Sequence, residues 1–267
     1  MDENFDEMQI DEEAQELFKP KDKGFFSLLI ESLKFFTLNL PAIATIVIPV
    51  FLVVEFLVPY LALLIPDFAD DLTGWESVND FLNYVIEFIA IEFIRQVIGG
   101  IAWIAVIRVV AGAMHGEKIQ GVQALKDGTN MLPMYFVTAV IYYTLLVFGS
   151  LLLVIPGIIF AVYCAFWQYS YVLRGKGAFS ALTYSISLVR DDLVRVFLNV
   201  LGIMVLILVF EHFLLEFISN AIAGAVDSEE GLIYSIVNAI LMALGKVLEV
   251  GIEIIFLMML FMDLEKD

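Results

Sequence analysis

Six long apolar stretches constrain this chain more than any other feature of its sequence. A helix needs about 20 predominantly apolar residues to cross the roughly 30 Å hydrocarbon core of a bilayer. Alternating strand patterns are absent from the stretches, and backbone polar groups must be satisfied inside lipid, so only helices are expected there. The sequence therefore predicts six transmembrane helices, at residues 41–65, 86–113, 132–155, 157–173, 194–219 and 232–262.

The composition supports the same fold class. The chain is 61% hydrophobic and 17% charged, with a mean hydropathy of +0.92. Soluble domains are about 45–50% apolar and about 25% charged. These values disfavour a soluble enzyme, a disordered chain and a nucleic-acid binder, and they predict an all-α integral membrane protein. The single cysteine, Cys164, excludes a disulfide scaffold and a multi-cysteine metal site.

A Pro-Gly pair separates the third and fourth predicted spans. Proline lacks the donor that would continue a helix, and glycine turns without steric cost, so Pro156-Gly157 predicts a tight hairpin. A single helix over residues 131–174 would instead be about 66 Å long, which is too long for one span. Two spans are therefore expected here.

The basic residues predict the orientation, since Lys and Arg of membrane proteins concentrate on the cytoplasmic side. Twelve of the fourteen bases fall before span one, between spans two and three, between spans four and five, or after span six. The opposite connections contain no bases: two of them are acidic, and the Pro156-Gly157 turn is uncharged. We expect a prokaryotic plasma-membrane protein with both termini in the cytoplasm.

The N-terminal segment 1–23 begins with a strongly acidic run. Residues 2–16 hold eight acids and no base, a pattern typical of a solvated, disordered tail. An alternative is that the tail docks on a basic partner or on the protein's own basic face. A secretory signal would need bases before its apolar stretch, so the first span is expected to be a retained anchor.

An internal repeat divides the membrane domain, residues 24–267. A shift of 92 positions aligns six identical residues in the first two copies, and a third copy begins near Gly175. The pattern predicts three pseudo-repeats, at about 24–113, 116–174 and 175–262. Each would contain an amphipathic interfacial helix on the cytoplasmic side followed by two spans, with Pro41 and Pro133 each starting a spanning helix. The aligned pairs are Gly24/Gly116, Leu33/Leu125, Lys34/Lys126, Thr37/Thr129, Leu40/Leu132 and Pro41/Pro133.

Segment 151–197 carries a more specific pattern. An aromatic span follows the Pro-Gly pair, and a Gly-rich turn then precedes an Ala-Leu-x-x-Ser-x-x-Leu motif and a basic residue. The residues are Pro156-Gly157, Gly175-Lys176-Gly177, Ala181-Leu182, Ser185, Leu188 and Arg190. This pattern resembles the prokaryotic six-span family typified by the membrane domain of glycerophosphoryl diester phosphodiesterases and related uncharacterised integral membrane proteins.

The resemblance implies a membrane module that is sometimes fused to a soluble hydrolase. This chain has no polar stretch long enough to hold such a hydrolase. The phosphodiesterase activity and its catalytic residues are therefore not expected here.

Charged residues within spans two and six form the strongest candidate site, because such residues are costly in lipid and are functional candidates by default. Arg95 and Lys246 fall at similar depths, counted from the cytoplasmic ends of their spans. We expect a buried cluster in which Arg95 pairs with Glu249 or Glu253, and Lys246 pairs with Glu92. The alternative is a structural role, since Glu92–Arg95 and Lys246–Glu249 are i,i+3 pairs that could neutralise each other. Four further polar residues are expected at the outer interface: Glu55, Glu211, His212 and Glu216.

The sequence offers no catalytic constellation. Neither His115 nor His212 has metal-ligand spacing to the other or to Cys164, and nucleophile and phosphate-binding motifs are missing. No enzyme, cofactor or metal site is predicted.

The function expected from these features is a non-catalytic membrane module that organises lipids or a partner protein. Bases near an anionic membrane surface each contribute about 1 kcal/mol of attraction. The alternative is a small transporter or channel that uses the intramembrane cluster. Either function is compatible with a membrane-protein partner or a homo-oligomer, and no nucleic-acid partner is expected. The predicted inner-rim lipid contacts are Lys34, Lys118, Lys126, Arg174, Lys176, Arg190 and Arg195.

Overall fold

A computed structural model describes residues 24–63, 78–152, 154–211, 217, 218, 220 and 232–265. Side chains are described within these ranges except at 55–63, 78–94, 96, 150–152, 154 and 232–235. The acidic tail and most of the two acidic outer loops lie outside these residues. The predictions for those segments therefore stay predictions.

The described residues form helices and contain no strand, as the apolar stretches predict. The protein is all-helical, and several of its helices are apolar enough to span a membrane. The helices are α1 (Phe25–Leu63), α2 (Val78–Met114), α3 (Gly121–Leu152), α4 (Val154–Tyr163), α5 (Trp167–Arg174), α6 (Phe179–Val189), α7 (Leu193–Val209) and α8 (Leu232–Leu264).

Three predicted helix boundaries are wrong. The Pro156-Gly157 pair lies inside α4, which begins at Val154, and not in the turn between α3 and α4. Pro41 lies inside α1 and Pro133 lies inside α3, so each amphipathic stretch continues into its apolar span without a break. A proline removes one backbone hydrogen bond, whereas unwinding the helix in lipid would leave several groups unsatisfied. The 39 residues of α1 reach about 58 Å, nearly twice the hydrocarbon thickness.

Among the described residues, four candidate spans meet the length and hydropathy requirements for crossing a bilayer, and up to five do if α6 and α7 together count as one broken span. The four cover Phe25–Val54, Val97–Met114, Gly121–Gly149 and Ile155–Arg174. Helix α6 meets α7 at a bend of 107°. Helix α8 has the length for a span but also carries four charged residues. The six-span topology thus stays a prediction.

The core lies where α1 packs against α2 and α8. Helix α8 makes its most extensive contact with α1, and α2 packs between α1 and α3. Ile43 and Ile46 of α1, Ile107 of α2 and Phe256 of α8 are fully buried in this core. The helices approach closely at a glycine of α8, because a Cβ at Gly251 would lie 2.4 Å from the Phe36 ring.

Equivalent positions of the first two predicted repeats have similar environments. Lys34 and Lys126 are both exposed. The hydroxyl groups of Thr37 and Thr129 both donate to a backbone carbonyl of the preceding helical turn. These similarities agree with a repeat, and the three-unit organisation itself stays a prediction.

Candidate functional site

Several charged residues of the predicted spans lie close to Lys246 of α8. Its Nζ lies 2.7 Å from Oε1 of Glu211, directly after α7, and 2.6 Å from Oε2 of Glu249. Glu211 lies eighteen residues after the start of α7, and Lys246 lies eighteen residues before the end of α8. At 1.5 Å per residue both are about 27 Å along their helices, so they meet at the same depth. The backbone at Glu211 forms a π-helical turn.

The side chains of this cluster differ in their exposure to solvent. The side chains of Glu211 and Lys246 are 35% and 27% exposed, whereas that of Glu249 is 13% exposed. Glu253 follows one turn further along α8 and is partly buried. The described cluster therefore contains three carboxylates and one ammonium group, with Lys246 bridging two of the carboxylates.

One of the expected pairings is described. The i,i+3 ion pair between Lys246 and Glu249 forms, as the structural alternative requires. The pairing of Arg95 with Glu249 or Glu253 stays a prediction. Arg95 is exposed and has its own contacts. The Glu92 side chain lies outside the described part of the chain.

Glu211 is the residue of this cluster that sequence reasoning misses. The sequence predicts only a position at the outer interface, yet its Oε1 accepts a hydrogen bond from Lys246. The sequence signal that could have indicated this pairing is that Glu211 and Lys246 lie at the same depth along their helices. The adjacency of α7 and α8 cannot be read from the sequence.

The predicted inner-rim bases divide into two groups. Four are exposed and form no ion pair with another described residue: Lys34, Lys118, Lys126 and Arg190. The other three contact protein groups. Arg174 and Arg195 form ion pairs, and Nζ of Lys176 lies 4.8 Å from the ring centre of Tyr184, which is a cation–π distance.

Two acids at the end of α8 bind these arginines. Glu265 accepts hydrogen bonds from Nε of Arg174 at 2.8 Å and from the Tyr184 hydroxyl at 2.6 Å. Asp263 pairs with Arg195. The end of α8 is thereby joined to α5, α6 and α7. This arrangement is structural, so it makes Arg174 and Arg195 weaker candidates for lipid contact.

The Ser185 motif stabilises an interruption between α4 and α5. The Ser185 hydroxyl donates to the Tyr163 carbonyl at 2.8 Å and accepts from the Phe166 amide at 3.1 Å. Gly175 ends α5 with a left-handed φ of 62°. At Gly177, a Cβ would lie 2.6 Å from Cε of Met134, so the side chain of Met134 packs closely against this glycine. The motif that carries the family resemblance therefore has structural roles at each of these residues.

The described residues contain no group of three or more His, Cys, Asp or Glu side chains that could hold a metal ion. The charged groups can hold helices together, bind ionic ligands or carry protons. No nucleophile with an adjacent base is among the contacts described above.

Comparison with known protein families identifies the family of this chain. A family model described as a domain of unknown function (DUF7847) matches residues 39–258. The chain belongs to this family. No curated protein and no solved structure matches it. The matched region includes α2 to α7 entirely and most of α1 and α8.

The family has no described activity that could be assigned to this chain. The resemblance of segment 151–197 to membrane domains of glycerophosphoryl diester phosphodiesterases stays a prediction. A functional proposal therefore depends on the arrangement of this chain's own residues.

Proposed function

We propose that this protein is a non-catalytic, multi-pass membrane module that organises anionic lipids at one end of its helical assembly. In this proposal that end faces the cytoplasm of a prokaryotic cell. The observation that carries the proposal is that four of the predicted rim bases are exposed and form no ion pair with another described residue. These are Lys34, Lys118, Lys126 and Arg190.

Contacts between helices support a location for these bases along the N-terminal half of α1, over a length of about 26 Å from Phe25 to Ala42. Lys118 and Lys126 flank Gly121, where a Cβ would lie 3.3 Å from the Ala42 carbonyl of α1. Arg190 and Phe25, at the start of α1, line the same cleft. The α2–α3 and α6–α7 connections are thus both adjacent to the N-terminal half of α1, which also carries Lys34.

Exposed apolar side chains accompany the bases. Phe26 and Leu38 lie on α1 to either side of Lys34, and Val122 lies between Lys118 and Lys126; all three are about three-quarters exposed. Bases and apolar groups together suit the boundary between headgroups and acyl chains. Electrostatic attraction to anionic lipid would add about 1 kcal/mol for each base.

The test is native mass spectrometry of the full-length protein in detergent, with equal amounts of phosphatidylglycerol and phosphatidylcholine. Wild type should retain phosphatidylglycerol in excess. Replacing Lys34, Lys118 and Lys126 by Gln should lower that excess, by about fivefold for each lysine in contact. The matched control replaces the same lysines by Arg, which keeps the charge. Equal lipid ratios in all three proteins would contradict the proposal.

The same spectra address a partner-organising role. A second copy of this chain or a co-purified membrane protein would appear as an additional mass. A partner that survives the Lys→Gln changes would shift the proposed role from lipids to protein assembly.

A second candidate function is transport of protons or cations through the Lys246 cluster. The observation favouring it is the excess of carboxylates over bases, combined with the partial exposure of Glu211 and Lys246. Proteoliposomes should then show a cation or proton flux that Glu253→Gln abolishes. A flux equal to that of protein-free liposomes would eliminate this candidate.

A further inference from the structure

A cleft of about 660 Å³ lies between the start of α1 and the bend that joins α6 to α7. The ring of Phe25 packs closely on α7, since a Cβ at Gly202 would lie 2.6 Å from its Cε2 atom. The same ring lies 5.3 Å from that of Phe256 on α8. One wall of the cleft is thereby fixed to two other helices.

The lining of this cleft changes from charged to apolar. Arg190, Asp191 and Asp192 lie at the bend, and Val194 and Leu198 follow on α7. Val194 and Leu198 are 70% and 58% exposed. A molecule with a polar group at one end and an apolar chain at the other would match this order.

The charged end of the cleft contains side chains that form no ion pair or helix-capping hydrogen bond with the described residues. Arg190 and Asp191 are exposed, and neither forms an ion pair with a described residue. Asp192 immediately precedes α7, yet its side chain does not cap the helix. The first N–H groups of a helix are donors that favour an anion.

Asn199 provides an independent indication of a ligand. It lines the cleft and is 5% exposed. Its amide donates to the Arg195 carbonyl at 2.8 Å, while its Oδ1 receives no hydrogen bond from any described residue. A buried acceptor without a donor is costly, so the protein alone does not fully satisfy the lining of the cleft at this residue.

The charged residues of the cleft determine which lipid headgroup it favours. Arg195 is paired with Asp263, so its charge is neutralised. The remaining charged residues of the cleft are Arg190, Asp191 and Asp192, which together have a net charge of −1. A phosphate can bind at Arg190 and the start of α7, and a positively charged donor can bind the carboxylates. An anionic headgroup without an amine would contact Arg190 but be opposed by the two acids, so it would bind less well here than at the exposed lysines. Choline is positively charged but has no N–H to donate.

We propose that the cleft binds one phospholipid with a phosphate and a primary ammonium group, of the phosphatidylethanolamine type. Its phosphate contacts Arg190 and the N-terminus of α7. Its ammonium group contacts Asp191 and Asp192, and an acyl chain lies along Leu198 and Phe25. This site goes beyond the proposed preference for anionic lipids, and the two proposals can fail independently.

The test is native mass spectrometry of the full-length protein with equal amounts of phosphatidylethanolamine, phosphatidylglycerol and phosphatidylcholine of identical chains. The first bound lipid should be phosphatidylethanolamine, in about tenfold excess over phosphatidylcholine for one charge-assisted contact. Replacing Asp191 and Asp192 by Asn should abolish this excess. Arg190→Gln should weaken binding of both lipids. Glu117→Gln, which neutralises an exposed acid in the α2–α3 connection, is the matched control.

Leu198→Trp fills the cleft from an exposed position, so the fold should persist, as circular dichroism can verify. This variant should lose the first phosphatidylethanolamine. Retention of that lipid, or an excess of it that the Asp→Asn changes leave intact, would overturn the proposal. A wild-type dimer that Leu198→Trp dissociates would also overturn it, because a second copy would then occupy the cleft.

Discussion

At the residue scale, Ser185 joins backbone groups on both sides of the interruption between α4 and α5. Ser185→Ala removes both bonds and leaves the buried Phe166 amide without this acceptor. An unsatisfied buried group costs about 1–3 kcal/mol. We expect the free energy of unfolding to fall by about 2 kcal/mol, measured by denaturant titration in mixed micelles.

Ser187→Ala is the matched control for this change. The Ser187 side chain is exposed and bonds only to a carbonyl of its own helix, so its removal should change stability by less than about 0.5 kcal/mol. Equal effects of the two substitutions would show that the Ser185 bonds do not stabilise the interruption.

Some residue contacts could be predicted and others could not. The Lys246–Glu249 pair follows from helical spacing alone, and it forms. The Lys246–Glu211 pair requires α7 to lie beside α8, which no local pattern specifies. The pairing of Arg174 with Glu265 likewise depends on the position of the end of α8. Basic residues near a predicted inner surface cannot be divided into lipid-facing and protein-facing groups from the sequence.

At the element scale, apolar periodicity correctly predicts helices in all the described spans. It does not locate their ends. Pro41 favours a helix start when only its missing donor is considered, but α1 continues through it. The bend between α6 and α7 is also absent from the hydropathy pattern, and it arises where the polar residues Arg190 to Asp192 separate two apolar helices.

The contact of α8 with α1 gives a prediction for a helix pair. Gly251→Ala would place a methyl group 2.4 Å from the buried Phe36 ring. Inserting a methyl group into a packed interface costs about 1–3 kcal/mol. We therefore expect the same unfolding assay to show a loss of about 2 kcal/mol and a weaker α1–α8 contact.

A double-mutant cycle with Phe36→Leu separates this clash from other effects of alanine. The smaller leucine side chain in that variant should make the Gly251→Ala change less costly, giving a coupling energy above about 0.5 kcal/mol. Gly24→Ala is the control, because a Cβ there meets nothing within 4 Å. Purely additive effects would indicate that Phe36 is not the obstacle.

At the scale of the whole molecule, the distribution of charge connects the fold to the proposed function. Acids at the end of α8 neutralise Arg174 and Arg195 within the protein. The four rim bases that form no ion pair with a described residue lie in the α2–α3 and α6–α7 connections, in the first turns of α3 and in the first part of α1. In the proposed function a membrane surface attracts these bases without disrupting the ion pairs that hold the helices.

The predicted topology can be tested with single cysteines in a Cys164→Ala background, since the native thiol is buried. A membrane-impermeant maleimide should label the Glu76→Cys and Asp227→Cys variants in intact cells. The Lys118→Cys and Lys266→Cys variants should react only after permeabilisation, because bases remain on the cytoplasmic side. Labelling of Lys118→Cys in intact cells, with protection of Glu76→Cys, would reverse the orientation. It would also place the proposed lipid contacts on the opposite surface of the membrane.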